Sequence, residues 1–196
     1  MQYVKHFFIP IILILFFAGC EKESVVSPLP EKSLAELYKS AIIDAMVADS
    51  GEIVTTLTPV TPSNNKLSWK GTPPDQFVLV LIYTKYPNSY PVEDTVVTWW
   101  DATWVTLCPE LRDWHKDNGT TENNFILRTE QLLGLPPAGG NEWMVEVWVK
   151  PQQLIRPAYD NEITDNTSGL FFPDSVSQEY VDWFNGNILY SYFPAK

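Results

Sequence analysis

Seven apolar residues follow one another without a break at 77–83, inside the stretch QFVLVLIY. Such a run is satisfied either as a strand buried on both faces or as a short buried helix. Its length and its Val and Ile content favour the strand, expected over 76–83. A further strand is expected over 143–150, where side chains alternate. Trp143, Val145, Val147 and Val149 take one face, and Met144, Glu146, Trp148 and Lys150 take the other.

Ser33-Leu34-Ala35-Glu36 is a capping box, in which the hydroxyl accepts a free N–H and the carboxylate reaches back to the cap. Leu34, Leu37, Tyr38, Ala41, Ile42, Ala45 and Met46 then recur every three or four residues. They form one apolar stripe along three helical turns. Pro109 suits the first position of a helix over 109–117, where its missing N–H costs nothing. Helices are also expected over 121–133 and from Ser175, where Gln178 completes a capping pattern ahead of Tyr180, Val181 and Phe184. Further strands are expected over 52–58, 66–69, 95–100, 103–107 and 188–193, with one helical turn inside 151–157. Helices and strands do not alternate regularly, which argues against a parallel doubly wound sheet. The expected fold class is α+β, with a mostly antiparallel sheet covered on one side by helices.

The chain of 196 residues is 45% hydrophobic and 14% aromatic, which argues against disorder and suits one domain. Its formal net charge is −11. So acidic a surface disfavours nucleic acid, which is held by clustered Lys and Arg, and no nucleic-acid partner is expected. The only cysteines are Cys20 and Cys108, and the only histidines His6 and His115.

The first twenty residues carry one cation, Lys5, and then an apolar run over 7–17 that stops at Phe17-Ala18-Gly19-Cys20. A run of roughly 11 residues is short of the ~20 that a helix needs to span a bilayer. It suits the apolar part of a secretory signal with small residues at the cleavage site. Small residues directly before a Cys resemble the lipobox of bacterial lipoprotein precursors. Phe17 stands where that pattern usually has Leu. The alternatives are an ordinary signal peptide ending near a Cys, or a single anchor helix. The resemblance covers only these residues. It implies a signal peptide over 1–19, cleavage before Cys20, diacylglycerol on its sulfur and acylation of the new N-terminus. A flexible tether over 20–32 and one globular domain over 33–196 would follow. Removing Lys5 leaves 24 acids against 12 Lys and Arg, a charge of −12. With Cys20 acylated, Cys108 has no intrachain partner, and the fold must hold by packing. Glu21 is not the Asp that retains lipoproteins in the inner membrane. Outer-membrane anchoring through the Cys20 lipid is therefore expected, facing either the periplasm or the cell surface.

Few residues offer catalytic chemistry. His115 and Cys108 do not make a zinc site by themselves, and no cofactor or metal is expected. On one helix they would stand about 10 Å apart, too far for a nucleophile and its base. His115, between Trp114 and Lys116, reads as a surface residue, and Cys108 as a buried thiol. Asp160, Glu162 and Asp165 crowd one loop but lack the EF-hand spacing. Trp148, lying between Glu146 and Lys150 on one strand face, is the best candidate for a ligand contact in a partly open groove, with Glu146 at its rim. The expected role is binding or scaffolding in the cell envelope, with a glycan, a peptide or an envelope protein as partner. The competing class is a lipid-anchored hydrolase using two carboxylates.

Overall fold

The computed structural model describes residues 31–97 and 102–189. The fold is α+β: among the described residues an open antiparallel sheet of four strands stands with four α-helices.

The centre of the sheet is β2 (Phe77–Thr84), the uninterrupted apolar run. Strand β4 (Trp143–Val149) pairs antiparallel along it, from Val78 opposite Val149 to Thr84 opposite Trp143. A strand has only two hydrogen-bonding edges. The short strands β1 (Trp69–Lys70) and β3 (Thr106–Leu107) therefore share the other edge end to end. Leu79 marks the handover. Its N–H donates to Ser68 O at 3.0 Å and its carbonyl accepts from Cys108 N at 3.2 Å.

Alternation sends Val78, Val80, Ile82 and Thr84 to the buried face and leaves Phe77, Leu79, Leu81 and Tyr83 half-buried. Val78 and Val80 pack with Val60 and Leu67, ringed by Trp69, Val105, Leu107, Val147, Val149, Leu154 and Ile163. Each fully buried Val is worth about 1.5–3 kcal/mol. The face assignment of β4 holds for Val147 and Val149, which lie opposite Val80 and Val78.

Helix α1 (Leu34–Asp44) opens on the expected capping box: Ser33 Oγ accepts from Glu36 N, and Ser33 N–H donates to Glu36 Oε2 at 2.8 Å. Helix α2 (Glu110–Asp117) starts one residue later than expected, with Pro109 as its cap after a cis Cys108–Pro109 bond. Helix α3 (Phe125–Leu132) is shorter than the span 121–133, because Asn124 Oδ1 takes Thr121 N–H at 2.8 Å and holds the approach as a turn. Helix α4 (Gln178–Phe184) is capped by Ser177 rather than Ser175. Gln178 completes no capping box there. Its amide reaches Asp182 Oδ1 at 2.9 Å.

Three expected strands differ for local reasons. In 52–58 a second capping box wins: Asp49 Oδ1 accepts from Gly51 N–H, Asp49 N–H donates to Glu52 Oε2, and Ser50–Glu52 becomes a 3-10 turn. Beyond it the chain runs against 163–168, joined only at Val54, Leu57 and Val60. Pro59 has no N–H to extend a ladder. In 66–69 the Asn64 side chain takes the N–H of Lys66, and the strand begins only at Trp69. In 103–107 only Thr106 and Leu107 are strand. Of 95–100, residues 95–97 are not strand and 98–100 lie outside the described residues. Of the expected closing strand, Ile188 sits in a π turn, Asn185–Leu189, and 190–193 lie outside the described residues.

Candidate functional site

The seven residues of the α1 stripe are not sunk into the core. No residue of α1 is buried, and Leu34, Leu37 and Met46 remain 47%, 48% and 46% exposed. They line one wall of a groove of about 530 Å³. The facing wall comes from α3 and the loop after it, including Leu127, Leu133, Leu135 and Pro137. Cavities of about 300–1,000 Å³ lined mainly by apolar groups are the usual size and character of small-molecule sites. One polar tie joins the walls, from Tyr38 Oη to Gly134 O at 3.5 Å.

Glu130 is the groove's charged wall residue. It is 2% exposed, and an unpaired buried carboxylate is costly. Its two oxygens accept from Ala138 N–H at 3.1 Å and Gly139 N–H at 2.9 Å. Ala138 takes a left-handed φ of 60°, which turns successive N–H groups towards one anion. A Cβ on Gly139 would stand 3.2 Å from Pro136 O, so glycine permits the close approach of that loop. No Lys, Arg or His is among the lining residues. The stripe is legible in the sequence as a helix face, but the burial of Glu130 against the loop after α3 is not. The only sign is the turn-rich LPPAGG segment a few residues after an acid in a helix.

Glu146 and Trp148 do share the outer face of β4, opposite Leu81 and Leu79. Trp148 is 39% exposed and Glu146 is exposed, and neither lines the α1–α3 groove. Lys150, on the same face, pairs with Asp75 at 3.2 Å and stands over the Phe77 ring. Cys108 joins this face, with Sγ 3.6 Å from Glu146 Oε1. Burial, then the Glu146 charge, pushes its thiol pKa up, away from the thiolate a nucleophile needs.

His115 is buried, not on the surface. Leu111 and His115 are one turn apart on the inward side of α2, and the ring stacks on Phe125 with centroids 4.4 Å apart. Thr129 Oγ1 donates to Phe125 O at 2.8 Å, so it accepts from His115 Nε2 at 3.0 Å, and Nε2 carries the ring proton. Nδ1 is buried with no hydrogen-bond partner among the described residues. Burial, then the Arg128 charge, holds the His115 pKa below its ordinary value.

The loop of Asp160, Glu162 and Asp165 spends its oxygens on its own chain. Glu162 takes the N–H and hydroxyl of Thr164. Asp165 pairs with Arg156 at 2.7 Å. Burial raises the Glu162 pKa, but the Thr164 bonds outweigh it and the net shift is downward. The Arg156 hydrogen bond lowers that of Asp165. A general acid needs the opposite shift. Among the described residues no three His, Cys, Asp or Glu side chains converge as metal ligands. Comparison with protein-family models, curated proteins and solved structures finds no match.

Proposed function

We propose that this protein is an outer-membrane lipoprotein, held by acyl chains on Cys20, whose folded domain binds an apolar ligand in the groove between α1 and α3. The observation that carries the binding role is the fate of the α1 stripe. An 11-residue helix is marginal alone and normally gains stability by burying its apolar face. Here that face borders an open apolar groove. The Phe17-Ala18-Gly19-Cys20 junction supports the anchoring.

The test is a fluorescence titration of the purified full chain with N-phenyl-1-naphthylamine, which brightens in apolar surroundings. The wild type is expected to saturate with one site. Ala41→Trp, which fills the middle of the groove, is expected to lose that site while melting at an unchanged temperature. Equal binding by both proteins would contradict the proposal.

The exposed edge of Trp148 favours a second, smaller contact surface on the outer face of β4, with Glu146 beside it. Trp148→Ala is expected to weaken a ligand bound there by roughly 1–3 kcal/mol. A stability loss with binding unchanged would return Trp148 to a packing role.

A further inference from the structure

We infer that the open edge of β4 binds a partner protein by strand addition, taking an extended apolar segment that carries a Lys or Arg opposite Glu146. The inference rests on the reading of Trp148 and Glu146 as a contact surface for its side-chain contacts, and names the partner. It is independent of the groove, whose lining holds no residue of β4.

The backbone carries the argument. Among the described residues β4 has one neighbour, β2. In an antiparallel pair, residues whose N–H and C=O groups meet the neighbour alternate with residues whose groups point away. Leu79 fixes which set is which. Its N–H goes to Ser68 O and its carbonyl takes Cys108 N–H, both on the β1 and β3 side. Its partner on the other side is Trp148, so Trp148 turns both of its backbone groups outward. Glu146 and Met144, opposite Leu81 and Tyr83, do the same by alternation. An N–H and a C=O from each of these residues line one edge and meet no backbone partner among the described residues. Edges that are kept closed are short, bulged or protected by Pro or Lys. Strand β4 is 7 residues long, pairs with β2 without a bulge and holds neither Pro nor Lys. None of its residues is buried. Such an edge fits an added strand, held by main-chain hydrogen bonds and selected by alternate side chains.

The side chains give the partner's chemistry. An added strand sets alternate residues beside Met144, Glu146 and Trp148. Met144 and Trp148 offer apolar surface on either side of one carboxylate. Glu146 is exposed and makes no ion pair among the described residues. Its side chain accepts from the Cys108 thiol, a weak donor. A Lys or Arg on the facing strand pairs with it, as opposite charges across strands do. A second copy brings a charge of −11 to another of −11 and is repelled, whereas a basic segment is drawn in.

The probe is a synthetic end-capped peptide, Thr-Val-Thr-Lys-Thr-Val-Thr, which sets its Lys beside Glu146 and its two Val beside Met144 and Trp148. It is titrated into the purified full chain, and amide exchange is read by NMR. Versions with Leu or Phe for Val are run beside it. At saturation the amides of Met144, Glu146 and Trp148 are expected to exchange at least tenfold more slowly, while those of α1 hold. N-methylating the peptide at its second, fourth and sixth residues, whose N–H groups face β4, should abolish binding. N-methylating the third and fifth should be tolerated. Glu146→Lys, at an exposed position, should weaken the peptide at least fivefold and favour a version with Glu in place of Lys. Equal binding of the Lys and Glu versions by the wild type overturns the charge preference. Binding that leaves the three amides unchanged, or that both N-methylations abolish equally, overturns the edge. If Trp148→Ala still weakens such binding, the face contact at Trp148 stands without the edge. Slowed amides with no effect of Trp148→Ala uphold the edge and remove the face contact. No slowing by any of the peptides at millimolar concentration overturns the proposal. A dimer in sedimentation, with the three amides already slow before peptide is added, gives the edge to a second copy and overturns it too.

Discussion

Glu130 is the residue on which one wall of the groove depends. Truncating it removes two hydrogen bonds to a charged acceptor, from Ala138 N–H and Gly139 N–H. Such bonds contribute about 1.5–3 kcal/mol each, so Glu130→Ala is expected to lower stability on the order of 3 kcal/mol, read from the urea midpoint. Glu130→Gln keeps one acceptor oxygen and should lose about half as much. At His115 the sign follows from burial. The folded pKa lies below the unfolded value of about 6.5, so the unfolded chain binds the proton more tightly. Its contribution is therefore fully present above that value and is lost as the pH falls below it. Thermal melts between pH 7.5 and 5 are expected to show a decline that His115→Gln removes. A decline of equal size in the variant would place the effect on other groups. Neither residue is legible in the sequence. Glu130 is buried by a loop closing over it from eight and nine residues downstream, and His115 by stacking on the next helix. Such contacts leave no local periodicity.

At the scale of elements, legibility follows length. The β2 run, the alternation of β4 and the capped stripe of α1 each repeat a pattern several times, and the elements stand where the patterns place them. The two-residue strands β1 and β3 have no pattern of their own and exist because β2 offers them an edge. A capping box at Asp49 outweighs the strand preference that follows it, and Asn124 shortens α3. With no buried residue, where α2, α3 and α4 each have two, α1 is the least secured of these helices. Ser33→Ala should destabilise it by about 1 kcal/mol. In hydrogen exchange this is expected to speed exchange in α1 roughly fivefold to tenfold and leave β2 unchanged. A matching change in β2 would mean that α1 unfolds only with the whole domain.

The molecule as a whole combines an acidic surface, an expected lipid tether and an apolar groove beside the first helix after that tether. Charge disfavours lying flat on anionic lipid, so under the proposed reading attachment would rest on the lipid at Cys20. Cys20→Ala is expected to abolish incorporation of radiolabelled fatty acid, and label in the variant would refute the anchor. The central claim is that the exposed stripe of α1 exists to be covered by a ligand. Hydrogen exchange of the α1 amides in the full chain, with and without N-phenyl-1-naphthylamine, tests it most directly. At about 100 times its Kd a ligand adds about 2.7 kcal/mol, so α1 amides should exchange about 100-fold more slowly while those of β2 hold. Unchanged exchange in α1 at saturating ligand would contradict the account.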